Sequence, residues 1–168
     1  MGEVGLTPNP NSQIPTPRAK LALLFPGQAS QAVGMGVELR AASPRAEAIF
    51  ALADRITGLP ITRLAEAGPL EALTATEVAQ PALVATSLAA LAVLREHLGS
   101  DGLLAVEAVA GHSVGEFAAC VAAGALDEDE ALRLVHVRAQ AMAEACRNVD
   151  GTMLAVLGVE PEPLQAIC

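Results

Sequence analysis

Ser113 stands between Gly111 and Gly115 in the run Val109-Ala110-Gly111-His112-Ser113-Val114-Gly115-Glu116, with a short apolar stretch before it and another after it. A serine so placed fits a nucleophile elbow: a strand ends, the backbone turns sharply, and the hydroxyl is presented at the start of a helix. Glycines two residues to either side let neighbouring backbone pass without meeting a Cβ. The Val114 N–H then faces a reacting carbonyl, with the positive end of the helix behind it. The chemistry such an elbow serves is nucleophilic attack on that carbonyl. A purely structural Gly/Ser turn uses the same residue types, and the G-x-S-x-G pattern alone does not separate the two.

Arg138 is the second residue with chemical potential. On a helix expected over 128–146, its neighbours three and four positions away are Leu134, Val135, Ala141 and Met142, all apolar and none acidic. A guanidinium beside that stripe must find a distant carboxylate, snorkel to water, or bind an anionic ligand. Arg133 and Arg147 are expected to be solvated.

Further motifs flank these two. Leu21–Phe25 reads as a short buried strand, followed at once by Pro26-Gly27-Gln28-Ala29-Ser30-Gln31 and then Gly34-Met35-Gly36. Gln80-Pro81-Ala82-Leu83 comes next, then the Ser113 elbow, then Arg133-Leu134-Val135-His136-Val137-Arg138. In this order the motifs resemble the malonyl-CoA:acyl carrier protein transacylases, a family that includes the acyltransferase domains of fatty acid and polyketide synthases. The resemblance runs from about Lys20 to Leu157.

That resemblance implies a malonyl group loaded on Ser113 from malonyl-CoA and passed to the phosphopantetheine thiol of an acyl carrier protein, with no resident cofactor and no metal. It implies an oxyanion hole from the backbone N–H groups of Gln28 and Val114, and a free malonate carboxylate held by Arg138 in a bidentate pair. Gln80 matches a glutamine near the acyl pocket, which implies a polar lining role, with a helix N-cap before Pro81 as the alternative. His112 is expected to shape the pocket wall rather than act as base, and Glu116 to serve the helix dipole. Where the family usually has glycine, this chain has Ala29, whose Cβ sits beside the oxyanion loop. The family's catalytic histidine lies beyond the last residue here, and of His97, His112 and His136 none matches it. The chain accordingly reads as the N-terminal half of such an enzyme, ending at the start of a ferredoxin-like subdomain.

The elements that must position these residues follow from local signals. Ser43-Pro44 is a helix start, serine as N-cap and proline at the first helical position, and Gly58 ends that helix near Thr57. A short turn follows Gly68-Pro69. An apolar helix is expected from Pro81 to Leu98, stopped by Gly99, then a strand over 103–111 and a helix over 114–123. Asp127 and Glu130 form a capping box for the 128–146 helix. A strand over 152–156 and a helix from Pro161 complete the pattern. Strands alternating with helices predict an α/β fold with a mainly parallel sheet, an acyltransferase core of the α/β-hydrolase-like kind. The expected organisation is a disordered, proline-bearing leader over 1–19, the α/β core over 20–150, and the start of the small subdomain over 151–168.

Composition bounds the remaining classes. Of 168 residues 52% are hydrophobic, enough for one sizeable core, and only 2% are aromatic, so alanine-rich helices packed closely on a small sheet are expected. A net charge of −9 with a single lysine, Lys20, argues against nucleic acid as a partner. The apolar run 81–94 is too short to span a membrane. Three cysteines without metal-ligand spacing fit free thiols in a cytoplasmic setting. Two alternatives differ in class: an inert acyltransferase fragment that binds carrier protein or CoA, and a serine esterase of α/β-hydrolase type. The second requires an acid and a histidine after Ser113 and leaves Gln28 and Arg138 without roles.

Overall fold

The computed structural model describes residues 20–103 and 106–148, with isolated positions beyond. The leader over 1–19, and the strand and helix expected after residue 150, lie outside this range. Strand β1 spans Leu21–Phe25 and strand β2 spans Val106–Gly111. Between them run α1 (Val37–Ala42), α2 (Pro44–Thr57), α3 (Ile61–Ala67), α4 (Leu70–Thr74) and α5 (Thr76–Leu103). After β2 come α6 (Gly115–Ala122) and α7 (Glu128–Asn148). The two strands pair in parallel with Phe25 opposite Gly111, so their C-terminal ends lie level.

The core is built around α5. Val78, Leu83, Val84, Leu88 and Leu91 are buried along it, together with Ala79, Ala82, Ala85, Ala89 and Ala92. Apolar residues on every side are what a fully enclosed helix requires, and the alanines let α2, α6 and α7 approach it closely. The 76–98 stretch is long and apolar enough to cross a membrane, but 72% of its 18-residue apolar window is buried inside the protein. Expectation and structure differ at both ends of α5. It begins at Thr76 rather than Pro81, because Ala75 breaks the chain after α4 and its carbonyl accepts from both Val78 and Ala79. Pro81 is thereby inside the helix, where it removes one backbone donor. Gly99 does not stop the helix, since a single glycine costs it only about 1 kcal/mol relative to alanine. The second strand accordingly starts at Val106 instead of 103.

The capping signals hold. Asp127 N–H donates to Glu130 Oε2 at 2.9 Å, and Glu130 N–H to Asp127 Oδ1 at 2.8 Å. Ser43 Oγ accepts from the Arg45 and Ala46 amides at the start of α2 and donates to Glu96 Oε1 at 2.8 Å, which ties α2 to α5. Near the other end of the α1–α2 corner, Glu47 and then Glu66 hold the Arg40 guanidinium above its usual pKa, and the same cation lies 5.5 Å from the Phe50 ring. Cys120 and Cys146 are free thiols.

Ser43→Ala removes both the cap and the Glu96 link. It is expected to lower the unfolding free energy by about 1–2 kcal/mol, read as a lower urea midpoint at constant m-value. An unchanged midpoint would show that Ser43 does not hold this corner.

Candidate active site

The level strand ends bring two loops together. His112 N–H donates to Phe25 O at 3.0 Å, extending the ladder by one bond, so Pro26-Gly27-Gln28 runs beside His112-Ser113-Val114. The contact is too close for side chains at the glycines. A Cβ built on Gly115 would lie 2.4 Å from Phe25 O, and one on Gly111 would lie 2.2 Å from the Gly115 carbonyl carbon. One on Gly27 would lie 2.3 Å from His112 Nδ1. His112 therefore lies against the Gly27 backbone.

The turn at the nucleophile position is strained as an elbow requires. Ser113 has φ +53°, a left-handed conformation that costs a non-glycine residue on the order of 1–2 kcal/mol. Ser113 is exposed, while Val114, the N-cap of α6, is fully buried. Across the cleft, Ala29 also has a left-handed φ, +80°. The alanine is thus accommodated where the resemblance leads one to expect glycine, at a similar local cost. Among the described residues, neither the Gln28 nor the Val114 amide donates a hydrogen bond.

Arg138 reaches this cleft from α7. Its Nη2 donates to Ser113 Oγ at 2.9 Å and its Nη1 to Gln80 Oε1 at 2.5 Å. Of the three fates open to it, a distant carboxylate is not the one taken, since no carboxylate among the described residues pairs with it. Its charge faces two neutral partners and has no counter-charge among the described residues. Arg133 and Arg147 are exposed and pair at the surface with Asp129 and Glu77. Glu116 is exposed in the first turn of α6.

Gln80 is fully buried and lies in the interior of α5, so it is not a helix cap. Arginine only donates, which obliges the Gln80 carbonyl oxygen to face it. The amide nitrogen then points the other way, donating to Gln28 Oε1 at 3.4 Å and toward Met142 Sδ at 3.3 Å. One buried side chain therefore links α5, α7 and the Gln28 loop. Met142, as a partner of Gln80, was not legible from spacing; nor were the roles of Ser30 and Gln31, which hydrogen-bond within the Gln28 loop. Among the described residues no imidazole or carboxylate hydrogen-bonds the Ser113 hydroxyl, and the buried His136 Nδ1 has no partner.

Among the described residues, a strained serine, two unengaged amides beside it and a cation without a counter-charge meet in one cleft, an arrangement able to hold an oxyanion and a second anionic group. The family model described as acyl transferase domain matches residues 22–168. The chain belongs to that family. A malonyl CoA-acyl carrier protein transacylase of Bacillus subtilis is 42% identical over 149 residues, covering 89% of this chain and 45% of that protein. The mitochondrial malonyl-CoA-acyl carrier protein transacylase of Homo sapiens is 44% identical over 146 residues, covering 87% and 37%. Among solved structures, an acyl-carrier-protein-S-malonyltransferase from Bartonella henselae aligns at TM-score 0.73 and 33% identity over 88% of this chain and 47% of that one. A malonyl-transacylase in complex with a type II PKS acyl-carrier protein aligns at TM-score 0.68 and 42% identity over 76% and 40%. The chain spans less than half the length of those relatives. Its fold is the expected α/β acyltransferase core with a parallel sheet.

The close approach at the elbow separates two kinds of glycine. Gly115→Ala forces a Cβ into backbone oxygens and is expected to cost about 3 kcal/mol or more. Gly58→Ala, at φ +68° with nothing within 4 Å, carries only the left-handed strain of about 1 kcal/mol. Urea denaturation of both variants checks this, and equal losses would contradict the packing of Gly115 on β1.

Proposed function

We propose that this site takes a malonyl group from malonyl-CoA onto Ser113 and delivers it to the phosphopantetheine thiol of an acyl carrier protein, in fatty acid or polyketide synthesis. The observation that carries the reading is the Arg138 guanidinium 2.9 Å from the serine hydroxyl, without a carboxylate partner among the described residues. In a malonyl ester of Ser113 the free carboxylate is one methylene from the acyl carbon, within reach of that cation. A bidentate pair there orients the thioester carbonyl and gives an acetyl group nothing equivalent to bind.

The bonds balance through a serine ester. Ser113 Oγ attacks the thioester carbon, the oxyanion is met by the Gln28 and Val114 N–H groups, and the C–S bond breaks to release coenzyme A. The carrier thiol then attacks the ester carbonyl, the C–O bond breaks, and the Ser113 hydroxyl is restored. The two bulky thiols need not occupy the cleft together. The serine proton must go to a base, and Arg138, a donor only, cannot be that base. Among the described residues no imidazole or carboxylate hydrogen-bonds the Ser113 hydroxyl, and a full triad speeds such an attack by several orders of magnitude over an unassisted serine. The inert-fragment alternative draws on that same feature, and the labelling below decides between them. Nothing in the transfer calls for a resident cofactor.

Incubation with malonyl-CoA should add a malonyl mass to the peptide carrying Ser113, and Ser113→Ala should abolish it. Arg138→Ala should slow malonyl labelling by about tenfold or more, as loss of a charge-assisted bond implies, and leave labelling by acetyl-CoA nearly unaffected. Label that persists in Ser113→Ala, or equal losses with both donors, would refute the mechanism. Wild-type protein that takes no label would leave the inert-fragment reading.

A further inference from the structure

The geometry points to Ser30 and Gln31 as positioning residues that aim the Gln28 amide at the acyl carbon held on Ser113, an inference resting on the acyl-transfer reading above. A trans peptide is a rigid plate, with the carbonyl of one residue and the N–H of the next at opposite ends. Pinning the carbonyl therefore fixes the direction of the N–H. The plate that carries the Gln28 N–H is pinned in this way: Gly27 O accepts from Ser30 Oγ at 2.8 Å and, more weakly, from the Ser30 N–H at 3.4 Å. The Gln28 N–H at the far end is left without a partner among the described residues.

The next plate is held as well. The Ala29 N–H donates to Gln31 Oε1 at 2.8 Å. Gly27 to Ser30 thus form a turn whose third residue is left-handed, the arrangement of a type II turn, which ordinarily places glycine there. Here that residue is Ala29, at φ +80°. Its Cβ favours a flip of the Gln28–Ala29 plate to the type I form, in which the third residue has an ordinary negative φ. The Gln31 acceptor opposes the flip, because it engages the Ala29 N–H only in the present orientation. Ser30 and Gln31 together keep the loop in the form that leaves the Gln28 amide free, and neither touches the reacting atoms.

Ser30→Ala and Ser30→Thr in the full chain test this. Loss of an oxyanion donor costs on the order of 10²–10³ in rate. Loss of its aim in Ser30→Ala should slow malonyl labelling of Ser113 about tenfold or more at an unchanged half-saturating concentration of malonyl-CoA. The ¹H–¹⁵N resonance of the Gln28 amide should shift or broaden in the same variant, while that of Val114 stays in place and the thermal transition is retained. Ser30→Thr, which keeps the hydroxyl on an exposed turn with room for a methyl, should restore both readouts. A Gln28 amide unmoved in Ser30→Ala overturns the inference, and so does an altered amide with labelling at the wild-type rate. If wild-type protein takes no label, the acyl-transfer reading fails, and the amide resonance alone decides whether Ser30 holds the loop.

Discussion

A single buried neutral group, the Gln80 side-chain amide, organises the cleft. Arg138 sits among apolar neighbours on α7, where a guanidinium without a partner would be costly. Gln80 Oε1 accepts from it at 2.5 Å and leaves its charge intact, which an acidic partner would not. Had position 80 carried a carboxylate, the cation would be neutralised before any substrate arrived. The neutral acceptor fixes the direction of the guanidinium while preserving its capacity for an anion. That arrangement depends on α5 being enclosed, since a glutamine with full access to water would hold its partner weakly.

The second constraint is the pairing of two parallel strands that end level. Because Phe25 is opposite Gly111, the loops leaving β1 and β2 emerge side by side, and glycines at 27, 111 and 115 let them touch. Left-handed backbone at Ser113 and Ala29 appears on both sides of that contact. Local strain of this kind persists only where surrounding structure over-determines it. Here the strand ladder, the α6 start and the Ser30 and Gln31 hydrogen bonds supply that support.

Legibility from sequence followed how local each signal is. The elbow, the Ser43-Pro44 start, the Gly58 stop and the Asp127/Glu130 box are each written within four or five residues, and each stands in the structure where those residues place it. Arg138 was legible through the apolar character of its helical neighbours. The start of α5 was not, because Pro81 is a strong local breaker and the hydrogen bonds that the Ala75 carbonyl accepts from Val78 and Ala79 have no sequence signature. Nor did periodicity help, since a helix apolar on every face has no polar stripe to mark its limits. The two roles open to Gln80 divide on the same boundary: before the helix it is a cap, inside it the partner of Arg138. The left-handed Ala29 was visible only as a departure from glycine, and its companions at positions 30 and 31 only once the backbone was known.

The central claim is that Gln80 and Arg138 act as a unit, and a double-mutant cycle on stability tests it without reference to turnover. Gln80→Leu, Arg138→Met and the double variant would be compared with wild type by urea denaturation. A hydrogen bond to a charged group in this setting predicts a coupling energy of about 1–2 kcal/mol, with the double variant losing less than the two single losses combined. Losses that add to within about 0.5 kcal/mol would mean that the two side chains are energetically independent, and would contradict the account of how the cation is held at the serine.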